Sequence, residues 1–170
     1  MATRPSRRTV DLSGFPELVI IYLGMRANTL RGVATLMKTG RQIRAAVAEE
    51  PEGLLRHEDL AYGLVPPHLG MRQYWRDFES MERWARTGTH AQWWRDRLAD
   101  PRGTGFWHET HFADGGTEAV YVNIPKRIGL MSFAPVSEAR KLMYTARRRL
   151  RLPDEAKIDP PVLEEDFYRD

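Results

Sequence analysis

No cysteine occurs in the 170 residues. Disulfides, thiolate nucleophiles and zinc–thiolate centres are excluded, and the fold has to hold by packing alone. Long apolar runs are missing too: Phe15 to Met25 is too short to span a bilayer and contains Glu17. Arg4, Arg7 and Arg8 precede no apolar run that reads as a signal peptide. Glycine spacing gives neither a Walker loop nor G-x-G-x-x-G, and no serine stands in a nucleophile elbow. Together these absences predict a cytoplasmic protein with no membrane partner and no phosphate-cradling loop.

What is present fits one packed domain. The formal charge of +3 is divided unevenly: from Arg151 to Asp170 there are seven acids and three bases, which leaves the rest of the chain at +7. Arg147, Arg148 and Arg149 form the densest basic run, but at a helix end they complement the dipole and face water, so no nucleic-acid partner is expected. Residues 1–14 read as a flexible arm, 15–130 as the domain, and 131–170 as a helix with an acidic tail.

Within the domain, Glu17 to Ala27 alternates as a strand, with Val19, Ile21, Leu23 and Met25 on one face. On the other face Gly24 marks either a bulge or a close approach, with Arg26 beyond it. A covering helix follows from Leu30 to Val47, with a break expected near Thr39-Gly40. Leu54 to Leu64 and Met71 to Phe78 read as paired strands, and Ser80 as the cap of a short helix ending at Arg86. Thr89-His90-Ala91-Gln92 matches a capping box, which places His90 at a helix start where the dipole favours a neutral imidazole. Thr104 to Phe112 and Thr117 to Asn123 flank Asp114-Gly115-Gly116 as a hairpin, and Ser137 caps a last helix to about Leu150.

This order, βαββαβ, builds an α+β ferredoxin-like antiparallel sheet with helices on one face. Its bare face, carrying Tyr22 and Tyr74, calls for a second copy as cover, hence a homodimer enclosing an apolar chamber. In Phe106-Trp107-His108-Glu109-Thr110-His111 the two histidines lie three apart on a strand, so they point to opposite faces and cannot chelate one ion. The inward set is either His108 with Phe106 and Thr110, or Trp107 with Glu109 and His111. A carboxylate beside a histidine can steer a proton, although two polar side chains at a wet sheet edge are commoner.

Leu23-Gly24-Met25-Arg26, Gln73-Tyr74-Trp75-Arg76, the helix with Trp84 and His90, Trp107-His108-Glu109-Thr110 and Glu118 to Pro125 carry a resemblance. Over about residues 15 to 130 the chain resembles the family that includes the fumagillin-pathway monooxygenase. That resemblance implies a dimeric α/β-barrel of the antibiotic-biosynthesis-monooxygenase type. Some members of the superfamily oxidise a polycyclic substrate without a cofactor, through a substrate carbanion that reacts with oxygen; others bind haem. The resemblance to small haem-degrading monooxygenases implies a haem with His90 as iron ligand, flanked by Trp84 and Asn28. It further implies a small hydrophobic substrate walled by Trp75, Tyr74 and Tyr121. Arg26, a catalytic candidate, and Asn123 would hold its polar atoms, with His108 and Glu109 as an acid/base pair. A haem-dependent dehydratase or isomerase, like the aldoxime dehydratases, and a non-catalytic ligand carrier are the alternatives.

Overall fold

The computed structural model describes residues 6–86, 100–114, 117–119, 121–122, 127, 129–144 and 146–151. Its strands are β1 (Arg7–Val10), β2 (Val19–Ala27), β3 (Leu54–Gly63), β4 (His68–Trp75), β5 (Thr104–Phe112), β6 (Tyr121–Val122) and β7 (Val136–Glu138). The helices are α1 (Leu30–Ala48), α2 (Phe78–Arg86) and α3 (Ala146–Arg149). The chain divides into two units, residues 17–113 and the remainder on either side of them. No described helix is long and apolar enough to cross a membrane.

Residues 17–113 form an antiparallel sheet in the order β3-β4-β2-β5. Taken with α1 and α2, this is the ferredoxin-like βαββαβ arrangement expected from the alternating strands and helical periodicity. Thr29 caps α1 by accepting from the Gly32 amide at 3.1 Å. Gly32 in turn sits against the Gly103 carbonyl, where any Cβ would collide, so the first turn of α1 closes onto the entry to β5. The helix runs unbroken through Thr39-Gly40, and the buried Thr39 hydroxyl is satisfied by donating back to Thr35 O at 2.9 Å. Helix α2 begins two residues earlier than expected. Its cap is Asp77, which accepts from Ser80 N at 2.7 Å, whereas Ser80 is buried within the first turn. The cap holds α2 over β4, where Trp84 meets Trp75 with ring centroids 5.4 Å apart. Val19, Trp75 and Met81 form the buried cluster there.

The second unit departs furthest from expectation. Arg7–Val10, taken as part of a flexible arm, is the middle strand of a three-stranded sheet in the order β6-β1-β7. Thr9 is 1% exposed and donates to Ala119 O at 2.8 Å. Tyr121–Val122 therefore pairs with Arg7 and Arg8, and the expected hairpin with β5 is not among the described pairings. Ser137 and Glu138 lie in β7 and do not cap a helix; a 3-10 turn at Lys141–Met143 and the short α3 follow. Arg149 ties this end together, donating to Glu118 at 2.7 Å and to the Tyr144 carbonyl at 2.6 Å. The acidic tail lies outside the described residues.

Candidate active site

Side chains on opposed strand positions share a face. In one row Leu23 stands beside Met71 and His108, and Met71 beside Asp59; the next row joins Ile21, Gln73 and His57. This is the face over which α1 lies, and between α1 and the sheet is a cleft of about 270 Å³. Leu23, Met25, Leu36 and Met71 give it an apolar floor and roof, and Gly40 leaves open space where a side chain would stand. Arg44 from α1 and Asp59 from β3 supply its charged groups, with Arg44 Nε donating to Asp59 Oδ2 at 3.0 Å.

From Asp59 a hydrogen-bonded chain runs into the core. His57 Nε2 is 3.4 Å from Asp59 Oδ1, Gln73 Nε2 is 3.2 Å from His57 Nδ1, and the fully buried Trp75 donates through Nε1 to Gln73 Oε1 at 3.2 Å. Burial pushes the His57 pKa below its ordinary value; the Asp59 carboxylate opposes the shift, and Arg44 and Arg56 add to it. His57 is accordingly a neutral imidazole with both nitrogens engaged.

The opposite face is filled differently. Trp107 donates to His68 Nε2 at 3.0 Å, and the Tyr62 ring rests on both, 5.0 Å from His68 and 5.2 Å from Trp107. These rings lie over Gly24 and Gly70, which pair across β2 and β4. A Cβ on Gly24 would run into Trp107 and come within 2.8 Å of His68 Nε2, so the glycine signals close approach of rings, with no bulge. In the next row Arg72 grips Glu58 at 2.6 and 3.0 Å and reaches the Tyr22 hydroxyl at 3.4 Å. Burial works against the Arg72 charge, but Tyr22 and Glu58 outweigh it and raise its pKa. Burial also pushes the Tyr62 phenol up, helped by Tyr22 and Glu109.

The residues expected from sequence are dispersed over these surroundings. Trp75 is wholly buried and starts the chain to the cleft, and Trp84 packs on it as core. Tyr74 is buried on the glycine face, its ring 5.3 Å from the Arg72 guanidinium. Arg26 is exposed on that face opposite His68, and Asn28 is exposed just past β2, its amide bonded to Gly103 O. Tyr121 belongs to the second unit, where its hydroxyl accepts from Met131 N. His108 shares the α1 face with Leu23, whereas Glu109 lies with Tyr22 on the other, 3.5 Å from His111. The pair His108–Glu109 is thus separated by the pleat, and Trp107, Glu109 and His111 are the set on the Tyr22 face. His90 and Asn123 lie outside the described residues. Sequence reasoning missed His57, Asp59 and Gln73. The signal was their period of two: His57 and Asp59 on one strand, Gln73 and Trp75 on the next.

A family model described as monooxygenase af470-like matches residues 18–130. No curated protein is significantly similar to the chain. Among solved structures, the aldoxime dehydratase OxdRE with butyraldoxime superposes with a TM-score of 0.62 at 19% identity, covering 81% of this chain and 39% of that one. A second aldoxime dehydratase gives 0.62 at 18% identity, covering 78% and 39%. The chain thus spans about two-fifths of the dehydratases, and the likeness is one of fold. SnoaB, a cofactor-independent oxygenase from Streptomyces nogalater, matches at 0.45 and 14% identity over 56% of this chain and 91% of that one.

Proposed function

The chain belongs to the af470-like monooxygenase family, enzymes of oxidoreductase type, and on that premise we propose that it oxidises a small hydrophobic organic molecule held in the cleft between α1 and the sheet. The observation that carries this reading is the cleft itself: an apolar chamber with its charged groups, Arg44 and Asp59, gathered on facing elements. Convergent polar groups in an apolar pocket are the usual form of a small-molecule site. Leu23, Met25 and Met71 would bind the apolar body, while Arg44 and Asp59 orient its polar end.

A haem is the finer expectation, with His90 as axial ligand and Trp84 and Asn28 beside it. The described residues do not fit that group in the cleft. His57 uses both ring nitrogens within the protein, Trp84 is packed on Trp75, and Asn28 is exposed beyond the end of β2. At about 270 Å³ the cleft also falls below the ~300–1,000 Å³ usual for drug-sized ligands, and a tetrapyrrole is a large one. We therefore favour oxygen chemistry on the substrate itself. The dehydratase alternative rests on likeness of fold alone, and the carrier alternative runs against the family. We also assign the Tyr22 face to a second copy of the chain and place the enzyme in the cytoplasm, with neither nucleic acid nor membrane as partner.

The test is oxygen uptake against a panel of small hydrophobic phenols, ketones and terpenes. Uptake by colourless wild-type protein, abolished in a folded Gly40→Phe variant whose ring occupies the cleft, supports the reading. Uptake that survives Gly40→Phe removes the cleft from the reaction. A Soret band lost in His90→Ala would replace the cofactor-free route with the haem route. Sedimentation at the mass of one chain would overturn the dimer.

A further inference from the structure

The chain of hydrogen bonds beneath the cleft has a direction, and one group sets it. An indole N–H can only donate. Trp75 is fully buried, so this donor must be met inside the protein, and Gln73 Oε1 meets it at 3.2 Å. The amide is thereby oriented: its Nε2 faces His57, and His57 Nδ1 has to accept. The imidazole proton is left on Nε2, directed at Asp59 Oδ1. Turning the amide over would set two donors against each other at Trp75. Three successive donors thus point from the core toward Asp59, an alignment in which each bond polarises the next.

Asp59 receives one bond on Oδ1 from His57 and one on Oδ2 from Arg44. A carboxylate offers about four acceptor sites, so roughly two remain for a visitor. Beside it Arg44 carries donors that its Nε bond does not use. Asp59 on its own strand and Gln73 on β4 bond to His57, and the nearby charges of Arg44 and Arg56 disfavour a second proton on it. None of them accepts a hydrogen bond from Nδ1, and burial disfavours the imidazolium further.

We infer that the cleft takes an apolar molecule bearing a hydroxyl group, which donates to Asp59 and accepts from Arg44, and that Trp75, Gln73 and His57 are positioning residues that hold the carboxylate for it. This rests on the cleft being the substrate site. A hydroxyl satisfies both partners, an ether only Arg44, and a hydrocarbon neither. Asp59 and Arg44 are 57% and 64% exposed, so the preference is moderated by water to about tenfold.

The experiment titrates the whole chain with 2-naphthol and 2-methoxynaphthalene, following their fluorescence, and records the His57 ring nitrogens by NMR. In the wild type 2-naphthol binds about tenfold more tightly, and His57 carries its proton on Nε2. Asp59→Ala removes the preference, so that the two probes bind alike. Gln73→Glu puts a carboxylate opposite Nδ1 and adds a proton there, a change that a merely space-filling Gln73 would not produce, and the preference falls as Asp59 pairs with the imidazolium. Equal binding of the two probes to the wild type overturns this inference and leaves the cleft as the substrate site. Failure of both probes to bind overturns this inference and the cleft as the substrate site. An Nδ1–H tautomer in the wild type overturns the positioning chain, whatever the variants do.

Discussion

The two faces of the four-stranded sheet use the same device to different ends. On each, a tryptophan indole donates into a polar partner linked to a histidine: Trp75 through Gln73 to His57, and Trp107 directly to His68. On the α1 face the tryptophan is deep in the core and the polar chain leads outward to a cleft. On the other face glycines at 24 and 70 have removed the side chains, and the rings of Tyr62, His68 and Trp107 occupy the space. Room for a ligand therefore depends on what a helix holds away from the sheet, since the strands alone close up wherever rings can settle on them. Strand β4 serves both faces, with Gln73 and Trp75 on one and His68, Gly70 and Arg72 on the other.

The largest expected effect tests whether the two tryptophans differ as their burial says. Trp75→Ala leaves a cavity in the Val19–Met81 cluster and an unmet Gln73, and should cost about 4 kcal/mol in urea unfolding. Trp107→Ala, from a half-buried site, should cost about half of that. Equal costs would mean that the glycine face is as much a core as the α1 face. Next in size is Gly24→Ala, which forces a methyl against Trp107 and His68 and should cost about 2 kcal/mol. A neutral result would show that the rings move aside freely and that the glycine face has room after all.

How much of this was legible from the residues follows from how local each feature is. The alternation of Thr104 to Phe112 gave a strand with the observed limits, that of Glu17 to Ala27 one that starts two residues early, and the order of elements gave the ferredoxin-like sheet. Strand β1 was not legible because Arg7-Arg8-Thr9-Val10 has no periodicity of its own; it is a strand only because Tyr121–Val122 and Val136–Glu138 return to flank it. For the same reason Tyr121 was assigned to the wrong sheet. The chain from Trp75 to Asp59 needs the register of β3 against β4, with its shift between Leu54 and Arg56, which no single strand encodes. Ser80 was taken as the cap of α2, and the cap is Asp77 because β4 ends at Trp75 and the helix starts at Phe78. The cleft under α1 was not legible either, because it needs three separate elements, the helix placed over Leu23 and Met25 of β2 and Met71 of β4.

Smaller effects separate the faces by acid. Asp77→Ala should cost about 1 kcal/mol through the lost cap, and should loosen Trp84 from Trp75 without touching Tyr62 or Trp107. The Ser80 amide, with Arg76, holds the Asp77 pKa down to about 2, so its contribution is present above 3.8 and lost as pH falls through about 2. His57 gives an earlier signal. Its folded pKa lies below the ordinary 6.5, so its contribution is complete above 6.5 and lost as pH falls through the lowered value. Stability measured from neutral to mildly acid pH should fall in the wild type and stay flatter in His57→Gln. An identical slope in both would locate the acid-sensitive group elsewhere, and the α1 face would lose its distinction as the titrating one.

The smallest effect has the opposite sign. Gly40 lies inside α1 with nothing within 4 Å of where a Cβ would stand, and it lines the cleft. A helix-interior glycine costs about 0.5–1 kcal/mol relative to alanine, because the unfolded chain gains freedom that the helix must remove. Gly40→Ala should therefore stabilise the protein by that amount, while Gly24→Ala destabilises it, although both add one methyl group to the same sheet-and-helix unit. The added methyl also narrows the cleft, so binding of 2-methoxynaphthalene should weaken as the melting temperature rises. A protein that keeps a less stable glycine where alanine fits has given up helix stability for room, and stabilisation with unchanged binding would show that the room at Gly40 is not used.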